Sequence, residues 1–100
     1  MIDLKAIFAK HADEYAAFER VVNRRHPRPD LCAFLMLHDL APRDPVLGGY
    51  VRQMVQAAKH DELCLDTDID LLATNATEDD IVTLIRCGIS FNGEWLSMLV

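Results

Sequence analysis

A chain of 100 residues, 51% of them hydrophobic, carries enough apolar mass for one domain with its own core, expected to bury about two-thirds of the surface its unfolded chain exposes. Its formal net charge of −6 argues against a protein that coats nucleic acid. Three cysteines, Cys32, Cys64 and Cys87, cannot all pair within one chain, and each lies in an apolar run, the pattern of reduced, buried thiols rather than of a secreted disulfide framework. No stretch is long and apolar enough to span a membrane, and Met1-Ile2-Asp3-Leu4-Lys5 lacks the basic run and apolar core of a signal peptide. The expected location is the cytoplasm.

In chain order, Leu4, Ile7, Phe8, His11, Tyr15, Phe18 and Val22 trace one helical stripe, with Asp3 placed to cap it and alanines between. This spacing predicts a helix from about 3 to 23. The prolines of Arg24-Arg25-His26-Pro27-Arg28-Pro29 end it. A second helix is expected from about Asp30, apolar on every side through Leu31-Cys32-Ala33-Phe34-Leu35-Met36-Leu37-His38, which predicts a central position. Beyond the Pro42 and Pro45 loop, Leu47, Tyr50, Val51, Met54, Val55 and Ala58 fit a third helical stripe, which Gly48-Gly49 would delay to Tyr50.

After His60 the period changes. Glu62-Leu63-Cys64-Leu65-Asp66 reads as a strand, and Asp68 to Ala73 as one or two helical turns. Thr77-Glu78-Asp79-Asp80 opens a further helix with a capping hydroxyl and three first-turn carboxylates; Ile81, Leu84 and Ile85 continue it and Gly88 stops it. Asn92-Gly93 between two apolar runs predicts a hairpin with a two-residue turn, pairing Phe91 with Glu94 and Ile89 with Leu96. Ile89, Phe91, Leu96 and Met98 would then face the helices, leaving Trp95 on the outer face with Ser90, Ser97 and Leu99. The expected fold class is α+β: mainly helical, with four to five helices and a small C-terminal antiparallel sheet containing a β-hairpin.

Charge is distributed unevenly. Residues 1 to 59 carry nine Lys/Arg and seven Asp/Glu, whereas residues 60 to 100 carry one and nine. The acidic set Asp61, Glu62, Asp66, Asp68, Asp70, Glu78, Asp79 and Asp80 has no Lys or Arg among it, so it repels nucleic acid and attracts basic surfaces that hold nucleic acid. Arg24, Arg25, His26 and Arg28 form the opposing basic cluster, which could touch a phosphate backbone or pair with the acids.

Other chemistry finds no complete motif. Asp66-Thr67-Asp68-Ile69-Asp70 opens like a calcium loop, but Leu71 stands where the loop needs Gly and Thr77 where it needs Glu. His60 with Cys64, or Cys32 with His38, matches no zinc module, and no Gly-rich turn displays a thiol nucleophile. Gly48-Gly49 lacks the Lys-Ser/Thr of a phosphate loop. No catalytic residue, metal or cofactor is expected.

His60-Asp61-Glu62-Leu63, Ala76-Thr77-Glu78-Asp79-Asp80-Ile81-Val82 and Ile85-Arg86-Cys87-Gly88 resemble segments of small proteins carried by phages and mobile elements of proteobacteria. Among these, the size, acidity and lack of catalytic motifs are similar to anti-CRISPR inhibitors of type I systems. The resemblance implies a non-enzymatic inhibitor, a monomer or weak homodimer, that binds a CRISPR-Cas surveillance complex and blocks target DNA. The acidic set and Trp95 would form its partner-binding surface, without direct contact to nucleic acid or membrane. The alternative is a small DNA-binding transcriptional regulator that uses the Arg24 to Arg28 cluster.

Overall fold

In the computed structural model the described residues are 2–22, 24–41, 46–47, 50–51, 55–59, 62–65 and 67–99. They form an α+β fold of four α-helices and a four-stranded antiparallel sheet built largely from the C-terminal part of the chain. The helices are α1 (Leu4–Lys10), α2 (Pro29–Leu40), α3 (Ile69–Asn75) and α4 (Glu78–Arg86). Strands β1 (Val46–Leu47) and β2 (Tyr50–Val51) make a small separate pair. Strands β3 (Val55–Lys59), β4 (Glu62–Leu65), β5 (Ile89–Phe91) and β6 (Leu96–Leu99) assemble in the order β3-β4-β6-β5.

The helix α4 is the element the rest packs around. Thr77 Oγ1 accepts the Asp80 N–H at 3.2 Å while Asp80 Oδ2 accepts the Thr77 N–H at 3.0 Å, a reciprocal cap that fixes the first turn. Ile81, Leu84 and Ile85 are then buried to 2% exposure or less, and each contributes about 1.5–3 kcal/mol. Gly88, at φ +97, ends the helix in a conformation that a side chain resists, and β5 begins at the next residue. Leu65, Leu96, Ile89 and Met98 close the core from the sheet, and Leu4, Ile7, Met36, Leu37 and Leu72 close it from the other helices.

The first helix is much shorter than the stripe predicted. It stops at Lys10, and two 3-10 turns follow, Ala12–Glu14 and Phe18–Arg20. Between them Ala16 takes φ +61, and its N–H donates to the Ile85 carbonyl at 3.0 Å. A bond to the end of α4 thus replaces a bond within the helix. The apolar stripe still packs inward as far as Tyr15 and Phe18, but Val22, its last predicted member, is 78% exposed because the chain has left the helical path by then.

The third predicted helix is not formed: residues 46–47, 50–51 and 55–59 are strands. Val46 opposes Val51 and Leu47 opposes Tyr50, so Gly48-Gly49 separates two paired segments, a glycine pair that signals a hairpin at least as well as a delayed helix. Further on, β3 covers the outer edge of β4, with a register shift between Val55 and Ala57. Pairing with the apolar β4 overrides the helix propensity of the alanines. The Pro42 and Pro45 loop, Gly48-Gly49 and Met54 of that reading lie outside the described residues.

Two smaller corrections follow. Helix α2 is not central: Cys32, Ala33, Met36 and Leu37 are buried, but Leu31 and Leu35 are 36% and 46% exposed. In the hairpin, Phe91 pairs with Leu96, Ser90 with Ser97 and Ile89 with Met98, leaving a four-residue turn. Asn92 Oδ1 accepts the N–H groups of Glu94 and Trp95 at 2.8 and 3.0 Å, and Gly93 alone in the turn has positive φ, which excludes a type I′ turn. The displacement is two residues along one strand, so each side chain keeps its predicted face, and Ser90 and Ser97 hydroxyls meet at 2.9 Å. Trp95, however, moves off the sheet into the turn.

Backbone strain gives a paired prediction. A Cβ at Gly88 would meet nothing within 4 Å, so Gly88→Ala is expected to cost about 1–2 kcal/mol from φ alone. Ala16→Gly relieves the same kind of strain and is expected to gain roughly 0.5–1 kcal/mol after the extra unfolded-state entropy. Urea midpoints of the two variants against the parent measure both; shifts of the same sign would contradict the assignment.

Candidate functional site

The acidic residues predicted as a site fall into three groups. Asp61 and Asp66 lie outside the described residues. Glu62 sits in β4, opposite Lys59 of β3 and Leu99 of β6 in the register. The remaining five occupy the starts of α3 and α4. Helix α3 is seven residues long, roughly 10 Å, and two residues separate its end from the start of α4.

Three of these five also hold structure. Asp68 Oδ1 accepts the Leu71 N–H at 3.0 Å and caps α3, as Asp80 completes the cap of α4. Glu78 Oε2 accepts from Lys10 Nζ at 3.2 Å and meets His11 Nε2 at 2.8 Å, joining the end of α1 to the start of α4. These contacts, first His11 and then Lys10, hold the Glu78 carboxyl below its usual range. Asp70 and Asp79 are exposed, and their carboxylates have no hydrogen-bond or ion-pair partner among the described residues. Asp68, Asp70, Asp79 and Asp80 therefore present four negative charges with no cationic partner among the described residues, each near a helix N-terminus.

The basic cluster is arranged differently. Arg25 pairs with Asp39, and Arg28 pairs with Asp30 at 2.9 Å. Arg24 stacks on the Phe18 ring at 4.5 Å and donates to the Phe18 carbonyl at 3.1 Å. His26 Nδ1 accepts the Arg28 N–H at 3.1 Å. Each of the four side chains is thus engaged within the chain. Sequence reading set the two charged clusters side by side; the structure separates them by what each cation already touches.

Trp95 stands in the hairpin turn, 39% exposed, beside Glu94. Cys32 and Cys87 are buried and Cys64 half-buried, all as free thiols. Burial, reinforced by the neighbouring Cys32, pushes the Cys87 thiol up to about 12, so it is not a nucleophile at neutral pH. Among the described residues no three His, Cys, Asp or Glu side chains converge in a way that could hold a metal ion. No helix among them is long and apolar enough to cross a membrane.

A second ion-paired centre escaped sequence reading. Glu14, its side chain 16% exposed, accepts from Arg86 Nε at 2.9 Å and Arg20 Nη1 at 3.0 Å. Arg86, the one basic residue after position 59, is thereby drawn away from the acidic surface. Its partner lies 72 residues earlier, a separation no local pattern signals.

No protein-family model matches the chain, and neither the curated proteins nor the solved structures include a significant match.

The Glu78 contacts give a pH prediction. A carboxyl whose folded pKa lies below its reference of 4.5 contributes stability that is present above that value and is lost as the pH falls through the lower folded value. Glu78→Gln is therefore expected to be less stable than the parent at neutral pH, with the difference shrinking as the pH falls below 4.5. Urea midpoints across that range measure it, and a difference independent of pH would locate the effect elsewhere.

Proposed function

We propose that this protein is a non-enzymatic interaction module whose negative surface, at the starts of α3 and α4, docks on a Lys/Arg-lined groove of a nucleic-acid-binding partner and keeps nucleic acid out of it. The observation that carries this reading is the contrast in partners: four carboxylates there have no cationic partner among the described residues, while the arginines of the basic cluster are spent internally. A charge already paired adds little to an encounter; an unpaired one steers it.

In its specific form the partner is a CRISPR-Cas surveillance complex and the protein an anti-CRISPR-type inhibitor of target DNA binding, the role implied by the resemblance of residues 60 to 88. The mechanism asks nothing of bond-breaking chemistry. Carboxylates fixed by helix caps present charge at set positions, and the partner's lysines and arginines exchange phosphate for carboxylate. Asp68 and Asp80, held by backbone N–H groups, lose little freedom on docking. DNA binding through Arg24 to Arg28 is served less well, because phosphate would first have to displace Asp39, Asp30 and the Phe18 contact.

The test reverses Asp70 and Asp79, which do not cap their helices. The double variant Asp70→Lys, Asp79→Lys is expected to keep the parent's circular dichroism, with a urea midpoint lowered only by the helix-dipole loss of about 0.3–1 kcal/mol per position, while binding to a purified type I surveillance complex weakens at least about ten-fold. Raising salt should weaken parent binding in the same direction. Binding that tolerates both the reversal and high salt would remove the electrostatic reading, and no binding to any such complex would remove the partner assignment.

A further inference from the structure

We infer that the groove between α1 and strand β5 binds a small amphipathic carboxylic acid, with an aromatic or medium-chain aliphatic body and one anionic head. The groove encloses about 370 Å³, inside the range of small-molecule sites and more than twice the size of a cavity that holds benzene. Phe8, Ala9 and Ala12 form one wall, Ile89 and Phe91 the other, and the Phe8 and Phe91 rings meet at 5.7 Å. The alanines keep it open: Lys5, Phe8 and Ala9 lie on one face of α1, Ala12 follows in the next 3-10 turn, and larger residues at 9 and 12 would fill the space.

The rim fixes the charge of the ligand. In a chain of net charge −6, no Asp or Glu among the described residues lines this groove. Lys5 does, and its ammonium has no ion-pair partner among the described residues. Asn92 also lines it; its Oδ1 is occupied by two turn N–H groups, leaving its amide NH₂ as a donor. Cation and donor at the lip of an apolar trough match a carboxylate on an apolar body.

The wall geometry excludes the main competitor, an extended peptide added to the sheet. As an edge strand, β5 has β6 as its one neighbour, and the Asn92 N–H to Trp95 carbonyl bond sets the alternation so that Ser90 bonds Ser97. Ile89 and Phe91 then turn their backbone groups outward, but Ile89 is only 1% exposed. A peptide strand would need that backbone, whereas a small acid needs only the apolar trough.

The experiment titrates the full chain with octanoate and with 4-phenylbutyrate, each against its matched alcohol, and follows backbone amide NMR shifts. Saturable shifts are expected at Lys5 to Ala12 and Ile89 to Gly93, with the acid binding more tightly than the alcohol. Lys5→Ala should weaken the acid about three-fold and leave the alcohol unchanged. Ala9→Phe, an exposed helical position, should abolish both while preserving the urea midpoint. Shifts that never saturate, that map to Leu31 and Leu35 of α2, or that ignore charge and the Lys5 substitution would overturn the assignment.

Discussion

The structure depends on where α4 begins and ends. The reciprocal Thr77 and Asp80 cap is worth about 0.5–2 kcal/mol, less than the burial of Ile81, Leu84 and Ile85 together, so it is not the main source of stability. Its importance is register. A slip of one residue would rotate the helix by about 100° and turn its apolar face out of the core. The chain from the end of α1 onward is then fastened to this rod at both ends. Glu78 holds Lys10 and His11 at the first turn, while Arg86 holds Glu14, and the Ile85 carbonyl holds Ala16, at the last.

That arrangement explains why the predicted first helix breaks. A continuous helix over residues 3 to 23 would span roughly 30 Å, whereas α4, with nine residues, spans roughly 13 Å. To contact both ends of α4 the segment must fold back on itself. Ala16 in a left-handed conformation provides that change of direction, and its strain is offset by the bond to Ile85. The sequence carried the apolar periodicity but no Gly or Pro to announce the break.

Legibility in the sequence followed the range of the interactions. The Asp3 and Thr77 caps, the short helix after Asp68, the α4 stripe, the Gly88 stop and β4 are set by residues within one or two turns, and each was legible in the sequence. The region from 46 to 59 was not, because its strands are decided by a partner, β4 for β3, that no local window contains. The hairpin shows both cases. Its existence and faces were local facts, but its register depended on Asn92 Oδ1 capturing two N–H groups instead of forming the tighter turn. For the acidic residues, the number of charges was legible; which of them were caps, and which lacked partners, required the fold.

Helix α1 connects the two surfaces that carry functional readings. With Leu4 and Ile7 buried in the core, its next turn directs Lys10 and His11 to Glu78, and the neighbouring face carries Lys5, Phe8 and Ala9 along the groove. A helix of two turns has few positions to distribute, and here Leu4 and Ile7 take the core while Lys5 and Lys10 stay off it. Lys10 is consumed in joining α1 to α4, which leaves Lys5 as the cation available at the groove. The carboxylates without a cationic partner among the described residues stand at the starts of α3 and α4, and none of them is among the residues that line the groove.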